Sequence, residues 1–212
     1  MTATSSPSVP ATRRRDLIGA ALAWAFVVLL LASEAALTLP DATDPDAVVA
    51  SFYAQHRATI VVLQLIGLVA AVLLASYSLR LRRTDRVVGT AGLITAVLAC
   101  APGVMTLGTA LVADVAHPGR AGTWNAVEPR GDDLLFLGIT LFGAAVALRP
   151  PFPAVARVLG AVVAVLCGAR LVVEATGHAP GTFGSLGPIA FVVLVACLGV
   201  YSATGRLAPA TP

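Results

Sequence analysis

Lysine is absent from this chain, and all 14 of its basic residues are arginine. Charge of either sign is scarce, at 12% of the 212 residues, where a soluble globular domain carries about 25% to clothe its surface. There are three cysteines, Cys100, Cys167 and Cys197, with no CxxC pair, and each lies inside an apolar stretch. That excludes a disulfide framework and a thiolate metal site, leaving them as small packing residues. The three histidines, His56, His117 and His178, fall in or beside polar loops and show neither HxxxH nor HExxH spacing. A transmembrane haem needs axial histidines within the bundle, and a catalytic zinc needs the helical His pair, so no cofactor or metal is expected. An intramembrane serine protease would need a GxSG serine facing a membrane histidine. Gly184-Ser185 has no such partner, and an enzyme is the least favoured class.

What the chain does have is hydrophobic length. Of its residues 58% are hydrophobic, the mean hydropathy is +0.88, and the apolar residues gather into six runs. These are Leu17–Leu39, Ala58–Leu79, Val87–Ala113, Leu134–Leu148, Ala154–Thr176 and Phe183–Ala203. A helix needs roughly 20 apolar residues at about 1.5 Å each to cross a ~30 Å hydrocarbon layer. Five runs reach that length and the fourth is short. The expected fold is all-α: one polytopic bundle of six transmembrane helices over 13–206. Residues 1–12 and 207–212, rich in Ser, Thr, Pro and Ala, are expected as disordered tails. Arg13–Arg15 followed by an apolar stretch resembles a secretory signal, with Ser33-Glu34-Ala35 as a poor cleavage site. The run exceeds a signal core, so a retained first helix is expected.

Arginine placement orients the bundle. With the N-terminus cytoplasmic, Arg13, Arg14, Arg15, Arg80, Arg82, Arg83, Arg86, Arg149, Arg157 and Arg206 lie inside, against Arg57, Arg120 and Arg130 outside. The positive-inside bias therefore predicts N-in and C-in. The basic clusters read as topology signals and contacts to anionic lipid headgroups, not as a nucleic-acid surface. The acids concentrate in the outer loops. Asp44-Pro45-Asp46 reads as a helix start with an Asp cap, feeding a short interfacial helix through Val48, Val49, Phe52 and Tyr53. Asp132-Asp133 reads as a cap on the fourth crossing, while Trp124 and Tyr53 suit the headgroup belt.

The acidic Asp44–Asp46 loop after the first crossing, Phe52-Tyr53 with His56-Arg57 before the second, and Leu79-Arg80-x-Arg82-Arg83 at its inner end form a short motif. Over residues 17–83 the chain resembles a group of bacterial multi-pass proteins, commonest in actinobacteria, to which no activity is assigned. The resemblance implies six helices and a plasma-membrane location and nothing about chemistry.

Ionisable groups in hydrocarbon each cost a few kcal/mol and so point to function. Glu34, Gln64 and Arg170 all fall roughly 8–9 Å below the outer surface at about 1.5 Å per residue. Glu174, four residues after Arg170, shares its helical face. Two accounts follow: an outward-facing pocket lined by Glu34, Gln64, Arg170 and Glu174, or a structural ion pair between Glu34 and Arg170 pinning the first and fifth helices. Ala101-Pro102-Gly103 in the third run predicts a kink at Pro102 and Gly103. Gly160, Ala164 and Gly168 form a small-residue stripe suited to close helix contact, within the bundle or in a homo-oligomer. No internal repeat is evident. The expected function is a non-enzymatic plasma-membrane protein that binds a lipid, small ligand or partner. A small-solute transporter using Glu34 and Arg170 is the alternative.

Overall fold

Six crossings succeed one another around a closed ring. The computed structural model describes residues 16–178 and 183–207. The tail expected over 1–12, Arg13–Arg15 and residues 208–212 lie outside the described residues. The elements are α1 (Leu17–Ala35), α2 (Asp46–Leu81), α3 (Arg86–Leu98), α4 (Cys100–Val112), α5 (Pro118–Asn125), α6 (Glu128–Leu148), α7 (Ala154–Ala175) and α8 (Phe183–Ala203). Among the described residues there is no strand. Six helical segments are long and apolar enough to cross a membrane, with α3 and α4 together making the third and α5 leading into the fourth. This is an all-α, six-helix membrane bundle.

Neighbours in sequence are neighbours in space. α1 packs on α2 and α8, α2 on α3 and α4, both of these on α6, α6 on α7, and α7 on α8. The ring has an arginine end and an acidic end. Its outward faces keep large apolar side chains such as Leu65, Val72, Val97, Val165 and Ile189 exposed. So wide an apolar surface has no stable place in water and belongs against hydrocarbon. Lipid is as apolar as leucine, so the helices gain by close approach and interhelical hydrogen bonds instead. A Cβ on Gly160 would stand 2.6 Å from the Gly143 carbonyl oxygen, so α6 and α7 meet nearly backbone to backbone. The Gly160 stripe is thus occupied within the chain by α6. Thr95 donates to the Gly138 carbonyl at 2.7 Å, binding α3 to α6. Phe191 makes edge contacts with Phe26 and with Phe142, centroids 6.0 Å apart in each case, filling the middle of the ring.

Two aspartates tie the arginine end. Asp16 caps α1 by accepting from the Gly19 N–H at 3.0 Å and takes Arg80 Nη2 at 2.7 Å, joining α1 to α2. The Arg80 guanidinium holds its carboxyl below the usual range. Asp85 caps α3 through the Val87 and Val88 amides and accepts from Arg149 Nε at 2.8 Å, joining α3 to α6. Arginines expected as topology signals therefore also fasten the loops.

Several boundaries differ from the sequence expectations. α1 stops at Ala35, short of Leu39. The interfacial helix does not exist as a separate element: α2 runs unbroken from Asp46, and its first turns pack into the protein. There Val49, Ala50 and Tyr53 are buried with Ala110, Ala113 and Ala121, forming a cap over the acidic end. Arg57 donates to the Ala113 carbonyl, holding α2 to the end of α4. Asp44 does not cap α2, whose N-cap is Pro45; its carboxylate accepts from the Asp41 N–H at 2.9 Å and closes the preceding turn. The third crossing is interrupted at Ala99, three residues before Pro102. Proline has no N–H to offer the carbonyl four residues earlier, so the ladder opens on that side. α6 begins at Glu128, six residues before the apolar run, which lengthens the short fourth crossing.

Candidate functional site

The polar groups of the bundle meet at the acidic end, around the first two turns of α6. Pro129 stands in the opening turn of α6, where its missing N–H costs nothing. From there Glu128 and Asp132, four residues apart, point along one side of the helix. Glu128 accepts from the Thr106 hydroxyl of α4 through Oε1, and from the Tyr53 hydroxyl of α2 at 3.3 Å through Oε2. One carboxylate thus links three helices. Thr106 lies one turn after Pro102, with its hydroxyl 3.0 Å from that residue's carbonyl. Pro102 and Gly103 therefore sit within this cluster. A Cβ on Gly131 would meet the Pro102 backbone at 2.9 Å, and one on Gly103 would meet the Gln64 amide oxygen at 3.0 Å.

Arg170 is the second centre. Its side chain is only 11% exposed, with Nε 3.0 Å from Glu174 Oε1 and Nη2 3.8 Å from Asp132 Oδ2 on α6. The guanidinium carbon lies 3.5 Å above the centre of the Phe136 ring, a cation–π seat that partly replaces lost water. Below it, Gly187 of α8 leaves room for the Cys167 sulfur and the edge of Phe136. The site is thus charged near the acidic end and sealed by aromatic and small side chains beneath.

Of the expected pocket, Arg170 and Glu174 come together as i,i+4 neighbours, and Gln64 lies across the bundle beside Gly103. The Glu34–Arg170 pair is corrected. Glu34 is exposed near the end of α1 and forms no ion pair among the described residues. α1 packs on α2 and α8, whereas α7 packs on α6 and α8, so Asp132 of α6 takes the place assigned to Glu34. Asp132 and Asp133 are not caps, because α6 starts four residues earlier. Asp133 instead faces Arg130 at 3.5 Å. Tyr53 is fully buried and hydrogen-bonded, not a headgroup anchor. Trp124 is 42% exposed and lies across Gly108.

Beside these centres opens a cleft of about 250 Å³, lined by Leu39, Pro40, Asp41, Ala42, Asn125, Glu128, Pro129 and Asp132. Asn125 is 2% exposed. Its amide nitrogen donates to the Asp41 carbonyl at 2.9 Å, while its Oδ1 has no donor. Asp41, Asn125 and Glu128 are functional candidates that sequence reasoning passed over. The available signals were the Glu128-Pro129 helix start and a threonine one turn beyond Pro102. At the arginine end the void lined by Asp16, Tyr77, Arg80 and Ser202 is only about 40 Å³, room for a water or two.

The arrangement can hold a ligand by hydrogen bonds and charge. Among the described residues no three His, Cys, Asp or Glu side chains group to hold a metal ion. Comparison with protein-family models, with curated proteins and with solved structures finds no match for this chain, so its function is read from the site itself.

Proposed function

We propose that this multi-pass protein lies in a bacterial plasma membrane with both termini cytoplasmic and binds a small ligand or lipid headgroup at its outward face, without a reaction of its own. One observation carries the proposal: a 250 Å³ cleft with polar lining opens at the acidic end, beside a buried charged cluster. The arginine bias supports the orientation, and the resemblance to bacterial multi-pass proteins supports the location.

Small-solute transport through a Glu34 and Arg170 site has less support. Arg170 is already engaged by Glu174 and Asp132. The Phe26, Phe191 and Phe142 layer fills the ring between the cleft and the arginine end. The test is mass spectrometry of the molecules retained by gently purified protein. A stoichiometric lipid or small molecule, lost on Glu128→Gln, is expected. Retention of none, or of one indifferent to that substitution, would refute the proposal.

A further inference from the structure

We infer that the cleft receives a primary ammonium group, an inference that rests on the ligand-binding reading above and names its ligand chemistry. The polar side chains along the cleft are mostly acceptors. Asp41, Glu128 and Asp132 supply carboxylates, and Asn125 supplies an amide oxygen that has no donor although the residue is 98% buried. The one side-chain donor group there, Asn125 Nδ2, gives one of its two N–H groups to the Asp41 carbonyl. A buried amide oxygen without a donor is costly, and a ligand N–H would remove that cost.

Charge points the same way. Three carboxylates border the cleft. The nearest buried cation, Arg170, gives its Nε to Glu174 and stands 3.8 Å from Asp132. A net negative surface, with three carboxylates and an amide oxygen against a single amide N–H left over, repels anions and favours a cationic donor over a neutral acceptor. The volume of about 250 Å³ far exceeds a bare metal ion, and the carboxylates are not grouped for one. Leu39, Pro40 and Pro129 add an apolar wall against which methylenes next to the nitrogen can lie. An ammonium with three N–H donors and a short hydrocarbon stem meets all of these conditions. The same chemistry is offered by the amino headgroup of a phospholipid and by a free amine.

The experiment uses the full chain in phosphatidylcholine nanodiscs, titrated with n-butylammonium and with n-butyltrimethylammonium and read by native mass spectrometry and melting temperature. A parallel arm compares retention of phosphatidylethanolamine with that of phosphatidylcholine. The trimethyl probe keeps the charge but has no N–H. The primary amine should therefore bind about ten-fold tighter, the worth of one or two charge-assisted hydrogen bonds. Glu128→Gln and the exposed loop substitution Asp41→Asn should each weaken it several-fold, the latter without disturbing helix packing. Preferential retention of phosphatidylethanolamine assigns the ammonium to a lipid, and binding of n-butylammonium alone assigns it to a free amine. Equal affinity for the two probes, or affinity unchanged in both variants, overturns the inference. A neutral or anionic molecule retained from native membranes, with neither probe binding, overturns it and leaves the ligand-binding reading standing. Nothing retained and nothing bound removes both.

Discussion

Replacing Arg170 by Gln leaves Glu174 and Asp132 facing the bundle without their cation, and the size of the loss follows from the geometry. The Nε–Oε1 distance to Glu174 is 3.0 Å. Unit charges at that separation attract by about 5.5 kcal/mol at an effective dielectric of 20 and by ~1.4 kcal/mol in water. The side chains are 11% and 21% exposed, which places the pair nearer the first figure, but desolvation opposes it. A net coupling of about 1–3 kcal/mol between Arg170 and Glu174 is expected. The Asp132 contact, at 3.8 Å to a side chain 43% exposed, should contribute about 1 kcal/mol or less. Loss of the Phe136 stacking adds roughly 1–2 kcal/mol to any Arg170 substitution and cancels from the cycle. Reversible unfolding in mixed micelles of Arg170→Gln, Glu174→Gln and the double variant measures the coupling. The double variant should be more stable than the sum of the single losses predicts. A parallel cycle with Glu34→Gln should be additive within about 0.5 kcal/mol. Additivity for Glu174, or a coupling above 1 kcal/mol for Glu34, would refute this account of the charged cluster.

Gly160→Ala should cost about 1–3 kcal/mol, because its Cβ would stand 2.6 Å from backbone oxygen on α6, whereas Gly67→Ala, with open space around it, should be neutral or slightly stabilising in the same unfolding assay. Burial alone would raise the Asp85 pKa, but the Val88 and Val87 amides and Arg149 outweigh it and hold the carboxyl below its usual value. Its stabilisation should therefore be complete above the ordinary aspartate range near ~4 and be lost as pH falls through the lowered value. Melting curves from neutral to acid pH should then fall less steeply for Asp85→Asn than for the parent, and equal slopes would contradict the assignment. In a cysteine-free background, single cysteines at the exposed positions Thr43 and Thr123 should react with an impermeant thiol reagent on intact cells and one at Thr204 should not. Labelling of Thr204→Cys before permeabilisation would reverse the proposed orientation.

Much of the bundle was legible because crossing a membrane is a one-dimensional property. Apolar length alone marks the runs at 154–176 and 183–203, and the helices α7 and α8 fall within a residue of them. Where polar residues enter a helix that property fails. α2 starts twelve residues before its apolar run and α6 six residues before its own. Those turns are sheltered by protein, Tyr53 against Ala113 and Ala121 and Glu128 against Thr106, so hydropathy does not register them. The break near Pro102 was legible because a missing N–H acts locally. Its position at Ala99 follows from where the unpaired carbonyl falls.

The sequence by itself determined six apolar crossings, their alternation, the concentration of arginine at one end and of acids at the other, and the Arg170–Glu174 contact. All of these depend on residues close along the chain. Only the tertiary structure decided that Arg170 meets Asp132 and not Glu34, that Tyr53 is buried on Glu128, and that Asp41, Asn125 and Asp132 border one cleft. Such choices rest on the order of helices around the ring and on the rotation of each about its axis. In water, an amphipathic stripe advertises that rotation. A membrane helix is apolar on its lipid-facing and protein-facing sides alike, so the pattern carries little of it, and packing of small residues such as Gly143 against Gly160 sets it instead.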